Sequence, residues 1–330
     1  MAHSFRIVSL FLFLILSFPV VFAQHIVGSI AVGDEPRGVA VNPFTDLVYV
    51  ANVQSGTVSV LHKNALVATV PVDTLPFVVA INSLTNLVYA AGCNFLTGAG
   101  SMVVVIDGHT HKVLKDIVLN QSCSLGTQGI AVNPLTNRVY VSDYDDSQEV
   151  VIDGATNQIA GRISLAGGLP LGVDVDLSAN QVWVALDGPE AQVDILDGAT
   201  DTVLDTVTVT SGNIFIEGVA IDSITHRAYV SSTSSPASLY VLGTRHRNLI
   251  ATVPIGQFAN SVTVDVLSNL IFVTDGEANT VVVVDGSDNQ VKSTVPLNGT
   301  FPSGVTANPV TRLVYVTEFD SGQVEVMAEH

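Results

Sequence analysis

From about residue 25 onward the chain alternates short apolar runs with short polar turns. The runs are rich in Val, Ile, Leu and Tyr, as in MVVVIDG at 102–108 and VVVVDG at 281–286. They are short for helices and too continuous for strands with one solvated face, so they predict β-strands covered on both sides. The breaks between them carry turn chemistry. In NPFTD at 42–46, Asn42 can bond its own backbone, while Pro43 presets φ and removes a ladder donor. IDGHTHKV, IDGATNQI, LDGATDTV and VDGSDNQV place Asp107, Asp153, Asp197 and Asp285 in tight turns, so these carboxylates read as turn residues.

One phrase recurs along the chain. It begins at Gly38 (GVAVNPFTDLVYV), Val78 (VVAINSLTNLVYA), Gly129 (GIAVNPLTNRVYV) and Gly172 (GVDVDLSANQVWV). It begins again at Gly218 (GVAIDSITHRAYV), Ser261 (SVTVDVLSNLIFV) and Gly304 (GVTANPVTRLVYV), giving seven copies. The starts lie about 40 to 51 residues apart, the length of a four-stranded propeller blade. Ala40, Ala80, Ala131 and Ala220 share one position on the first strand, where small residues are expected as sheets converge on an axis. The last copy has no fourth strand before the chain stops. HIVGSIAVG at 25–33 matches the fourth-strand phrases LVATVPVDT and LIATVPIGQ. The pattern predicts an all-β fold, a seven-bladed β-propeller of four-stranded blades, its ring closed by the N-terminal strand completing the last blade. Such closure removes open sheet edges.

VYVAN, VYVSD and VYVTE, each preceded by the turn, resemble the YVTN-type β-propeller repeats of exported bacterial and archaeal proteins, surface-layer-like proteins among them. The resemblance runs through residues 24–330 and implies the propeller fold. It implies no single activity: related propellers include lactonases, metal-dependent lyases, haem-d1 domains and interaction modules.

Composition adds compartment and partners. Residues 1–23 have one firm positive charge, Arg6, then an apolar run, then Val21 and Ala23, which is the pattern of a signal peptide cleaved before Gln24. Residues 24–330 then form one domain. The expected location is secreted, periplasmic or cell-surface, with a monomer free of the membrane after cleavage. Cys93 and Cys123, the two cysteines, are expected to pair in an oxidising compartment. Closing a loop of about 30 residues contributes roughly 3 kcal/mol. The net charge of -18 argues against nucleic acid and anionic membrane surfaces. Asn120-Gln-Ser and Asn298-Gly-Thr match N-glycosylation acceptors.

A site must come from residues that the repeat does not dictate. In this topology the loops before each first strand share one face with the loops joining second and third strands. The residues just before each copy form a first ring at the channel mouth: Arg37, Phe77, Gln128, Leu171, Glu217, Asn260 and Ser303. Those just after each VYV phrase form a second: Asn52, Gly92, Asp143, Leu186, Ser232, Asp275 and Glu318. Arg37, Asn52, Asp143, Glu217, Asn260, Asp275 and Glu318 are the candidate ligand-binding residues. Glu217, Asn260, Asp275 and Glu318 make an oxygen-rich set of the kind that suits Ca²⁺ or Mg²⁺. His62, His109, His111, His226 and His246 fall in turns on the opposite face, so imidazole chemistry has no general base at the mouth. No GxSxG, HExxH, P-loop or CxxCH occurs. The leading expectation is a non-enzymatic binding or scaffold module whose partner is a protein, peptide or glycan on the loop face. Phe77, Phe95, Phe258, Phe301 and Phe319 are its candidate contact patch. The second is a divalent-cation-dependent, lactonase-like hydrolase or lyase.

Overall fold

A computed structural model describes residues 24–94, 98, 100–121, 123–212 and 214–329. The signal peptide expected at 1–23 and Phe95 lie outside these residues. The described chain forms seven four-stranded antiparallel sheets. Blade one runs from the axis outward as Pro36–Asn42, Leu47–Asn52, Thr57–His62 and Ala65–Pro71. Blades two to six repeat it, with first strands at Pro76–Asn82, Thr127–Asn133, Leu169–Asp176, Ile216–Asp222 and Ala259–Asp265. Blade seven takes Pro302–Asn308, Leu313–Glu318 and Gln323–Ala328 from the end of the chain and His25–Ala31 from its beginning. His25–Ala31 pairs antiparallel with Gln323–Ala328, so the ring closes through hydrogen bonds between the two ends.

The core lies between blades. Each second strand buries one large ring: Tyr49, Tyr89, Tyr140, Trp183, Tyr229, Phe272 and Tyr315. A buried phenol needs a partner. Tyr49 Oη donates to the Gly108 carbonyl of blade two at 3.1 Å, and Tyr140 Oη to the Gly198 carbonyl of blade four at 3.4 Å. Burial pushes the Tyr49 and Tyr140 phenols up to about 12, so they remain donors at any ordinary pH.

The turn after each first strand joins blade to blade. Asn133 Oδ1 accepts from the Leu135 and Thr136 amides and so closes its own turn. Its Nδ2 donates to Asn180 Oδ1 of the next blade at 2.8 Å. Asn42 does the same to Asn86, Asn82 to Asn137, and Asn308 to Asp46. Blades four to six carry Asp176, Asp222 and Asp265 at this position, and each still closes its turn. Asp265 has no donor to offer. There the neighbouring turn supplies one, Arg312 Nη1 at 3.3 Å. The residues at the facing position of each neighbouring turn, Asp46, Asn86, Asn137, Asn180, His226, Asn269 and Arg312, all have φ between 51° and 59°. Five of the seven are Asn or Asp, the side chains that best tolerate this left-handed backbone.

First strands approach one another closely at the axis. A Cβ on Gly129 would lie 2.1 Å from the Leu171 carbonyl oxygen, and one on Gly304 2.2 Å from that of Arg37. Glycine is therefore required at these two contacts, two residues before the alanine position noticed in the sequence, whereas blades two and six carry Val78 and Ser261 there. Next to that contact each first strand carries a register shift, as between Pro36 and Val39 and between Ile216 and Val219. The same shift recurs in the other five. A bulge re-aims the side chain it carries.

The amide belt gives a direct prediction. Asn133→Ala loses the turn cap and the inter-blade bond together and is expected to cost about 1–3 kcal/mol. Asn133→Asp keeps the cap, loses the donor and faces Asn180 Oδ1, and should cost a measurable fraction of that. Urea unfolding midpoints check both; an Asn133→Ala midpoint equal to the parent's would remove the belt as a source of stability.

Candidate functional site

The bulged position of each blade holds the first-ring residue. Arg37, Phe77, Gln128, Glu217, Asn260 and Ser303 line a cavity of about 170 Å³ on the axis, together with backbone from all seven blades. Leu171 stands beside it in a neighbouring cavity. Arg37 spans the mouth. Its Nη2 donates to Gln128 Oε1 at 3.0 Å and lies 3.5 Å from Glu217 Oε1, and its guanidinium sits 5.4 Å above the Phe77 ring centroid. The Arg37 and Glu217 side chains are 29% and 30% exposed, so water still screens the pair. Burial of the Glu217 carboxyl raises its pKa above the usual range, and the Arg37 charge partly offsets this.

Two larger cavities flank Arg37. One, of about 430 Å³, is walled by Phe77, Phe258, Phe301 and Phe319, with Glu35, Gln54, Glu217 and Asn260 among its polar groups. The Phe301 ring stands 6.0 Å from that of Phe258 and 6.2 Å from that of Phe319. The other, of about 550 Å³, is lined by Leu125, Gln128, Tyr144, Leu171 and Asp187. Arg37 is the only Lys or Arg among the residues lining these three cavities.

Glu35 and Phe301 belong to a ring that the repeat phrase alone does not reveal. Two residues before each first-ring position stand Glu35, Leu75, Gly126, Leu169, Phe215, Phe258 and Phe301. The recurrent Pro after this position, at Pro36, Pro76, Pro170 and Pro302, is the signal that marks it in the sequence. Glu35 and Phe301 have φ of 53° and 55°, and both border the aromatic cavity. Left-handed backbone on a bulky residue before proline is uncommon.

The second ring is elsewhere than expected. Asn52, Asp143, Asp275 and Glu318 are buried at the ends of the second strands and do not line the mouth. Three of the four are held there by hydrogen bonds to their own hairpin or to an entering loop. Asn52 Nδ2 donates to Thr57 and Ser59 hydroxyls. Asp143 accepts from Asn120 Nδ2 and Gln148 Nε2. Asp275 accepts from the Gln257, Phe258 and Ala278 amides, which fixes the backbone that presents the Phe258 ring. The metal set is thereby divided: Glu217 and Asn260 face the mouth, whereas Asp275 and Glu318 lie behind it. Among the described residues no group of three or more His, Cys, Asp or Glu could hold a metal ion.

Other loop contacts stiffen the same face. Cys93 and Cys123 form a disulfide with Cα atoms 5.9 Å apart, joining blade two to the loop that enters blade three. Asp145 accepts from the Ser124, Leu125 and Gly126 amides. Its burial raises the carboxyl pKa, but these bonds outweigh it and bring the carboxyl below its usual value. Asn120, one of the two glycosylation acceptors, has its amide occupied by Asp143. Among the described residues no helix is long and apolar enough to cross a membrane.

No family model matches the chain, and no curated protein matches it. Among solved structures it is similar to Kuenenia stuttgartiensis hydrazine synthase, with 16% sequence identity and a TM-score of 0.76 over 88% of this chain and 95% of that one. Identity this low shows a shared propeller fold and nothing of chemistry.

Glu318 generates a prediction of its own. It is fully buried, and neither carboxylate oxygen has a hydrogen-bond partner among the described residues. Burial first, and the neighbouring Glu325 second, push its pKa from 4.5 up to about 8. Between these values the folded protein keeps a proton that the unfolded chain releases, so stability falls as pH rises from about 4.5 to about 8. Glu318→Gln should remove this contribution and make the fall in melting temperature shallower between about pH 4.5 and about 8. An unchanged slope would place the proton elsewhere.

Proposed function

We propose that this is an exported binding module that holds a protein, peptide or glycan in the bowl around Arg37. The observation that carries the reading is the convergence of three cavities on one anchored arginine, lined by residues that differ from blade to blade while the strands repeat. A concave site with aromatic walls and a few fixed polar groups is the common form of a ligand pocket. The disulfide supports an oxidising compartment, and the YVTN-type resemblance and the leader pattern at 1–23 support export. The lactonase-like reading gains nothing from the geometry, because its nominated oxygens are separated by the loops that Asp275 holds.

Amide chemical-shift mapping against chito-, xylo- and malto-oligosaccharides and short peptides tests the proposal. Perturbations are expected around 35–37, 75–77, 258–260 and 301–303. Arg37→Ala should weaken the binding partner found there about tenfold, the scale of losing one charged hydrogen bond. Perturbations confined to the turns at 42–46 and 133–137 would overturn the loop-face assignment.

A further inference from the structure

We infer that the aromatic cavity beside Arg37 takes a cationic group on an apolar stem, an ammonium or guanidinium presented by a basic peptide segment. This rests on reading the loop face as the binding surface and goes further by assigning the chemistry of what enters.

Phe258, Phe301 and Phe319 form a wall of tilted and edge-on rings along a cavity of about 430 Å³. That volume holds one long side chain, not a folded partner. Aromatic faces carry negative quadrupole potential and attract cations that lose water against them. The molecule already makes this contact once, with Arg37 over Phe77 and beside Glu217. The cavity contains a second carboxylate, Glu35, which has no ion-pair partner among the described residues. Glu35 and Glu217 against Arg37 leave the lining with one net negative charge.

The wider field has the same sign. Asp34, Glu35 and Asp320 line the adjoining depression, and Asp145, Asp146, Glu190 and Glu277 lie in loops of the same face. On the opposite face seven cations, from Lys63 to Arg312, stand at or beside the hairpin turns and offset much of the charge of the turn aspartates, Asp201 and Asp265 among them. An approaching cation is steered toward the loop side. An anion meets acids before it reaches Arg37, whose charge Glu217 already compensates. Charge complementarity therefore selects a basic peptide over an acidic one.

The test uses the protein lacking residues 1–23 and two probes, acetyl-Lys-Trp-Lys-Trp-Lys-amide and its counterpart with Glu for Lys. Trp183, the only tryptophan of the chain, is fully buried, so a change in emission reports probe tryptophan. The basic probe should bind, and its dissociation constant should rise several-fold between about 20 and about 200 mM salt. Phe301→Gly keeps the left-handed backbone without strain while removing the ring. It should weaken binding about fivefold, on the scale of a partly desolvated cation–π contact. Glu35→Gln should weaken it about threefold and reduce the salt dependence. Phe44→Ala, on the opposite face and 72% exposed, should change nothing. Equal or tighter binding of the acidic probe, or binding of the basic probe that both cavity variants leave intact, overturns the assignment. Failure of both probes overturns it too, while the loop-face reading is judged separately by the oligosaccharide arm of the shift mapping.

Discussion

Seven first strands meet at one axis, and the closeness of their backbones governs the molecule. At Gly129 and Gly304 there is no room for a methyl group. The register shift at every first strand turns the preceding residue toward the channel mouth, in blades two and six too, where Val78 and Ser261 stand in place of glycine. Seven side chains of free identity thus reach the channel mouth. In this chain two of them, Arg37 and Glu217, meet across it.

The two ends of the barrel divide the labour. On the turn side, Asn and Asp side chains close turns and link blades, and phenols reach the next blade's carbonyls. These contacts are alike in kind from blade to blade, as a repeat architecture requires when each unit is stabilised by its neighbours. On the loop side a backbone bond repeats, as from the Val53 amide to the Glu35 carbonyl and from the Phe319 amide to the Phe301 carbonyl, but the side-chain contacts differ from blade to blade. Asp143 and Asp145 hold the loop that enters blade three and Asp275 the one that enters blade six, by different sets of donors. The aromatic wall depends on this, since Asp275 fixes the Phe258 backbone and Asn279 Oδ1 accepts the Phe301 amide. Buried acids at these positions are thus part of the support for the bowl.

The blade count, the closing N-terminal strand, the turn role of the DGxT aspartates and the Cys93–Cys123 pair were all legible in the sequence. Each follows from local chemistry repeated at a fixed interval or from a simple count. The first ring was legible too, because its residues sit at a constant offset from the repeated phrase. The second ring was not. Asn52, Asp143, Asp275 and Glu318 occupy equally regular offsets, but whether a side chain at a strand end faces solvent or its own loop depends on how that loop returns. Polarity suggested exposure; backbone amides claimed Asp275, side-chain amides claimed Asp143, and Glu318 is buried without a hydrogen-bond partner among the described residues.

What the sequence determined by itself was architecture: periodic apolar runs, turn residues and the spare terminal strand admit one closed ring. What only the tertiary structure decided was which polar residues meet. Arg37 and Glu217 are 180 residues apart and become neighbours across the axis, while the rings of Phe258, Phe301 and Phe319 gather from two blades into one wall. Pairings of this kind are set by the curvature of the closed ring and the aim of each bulge, and a linear pattern carries neither.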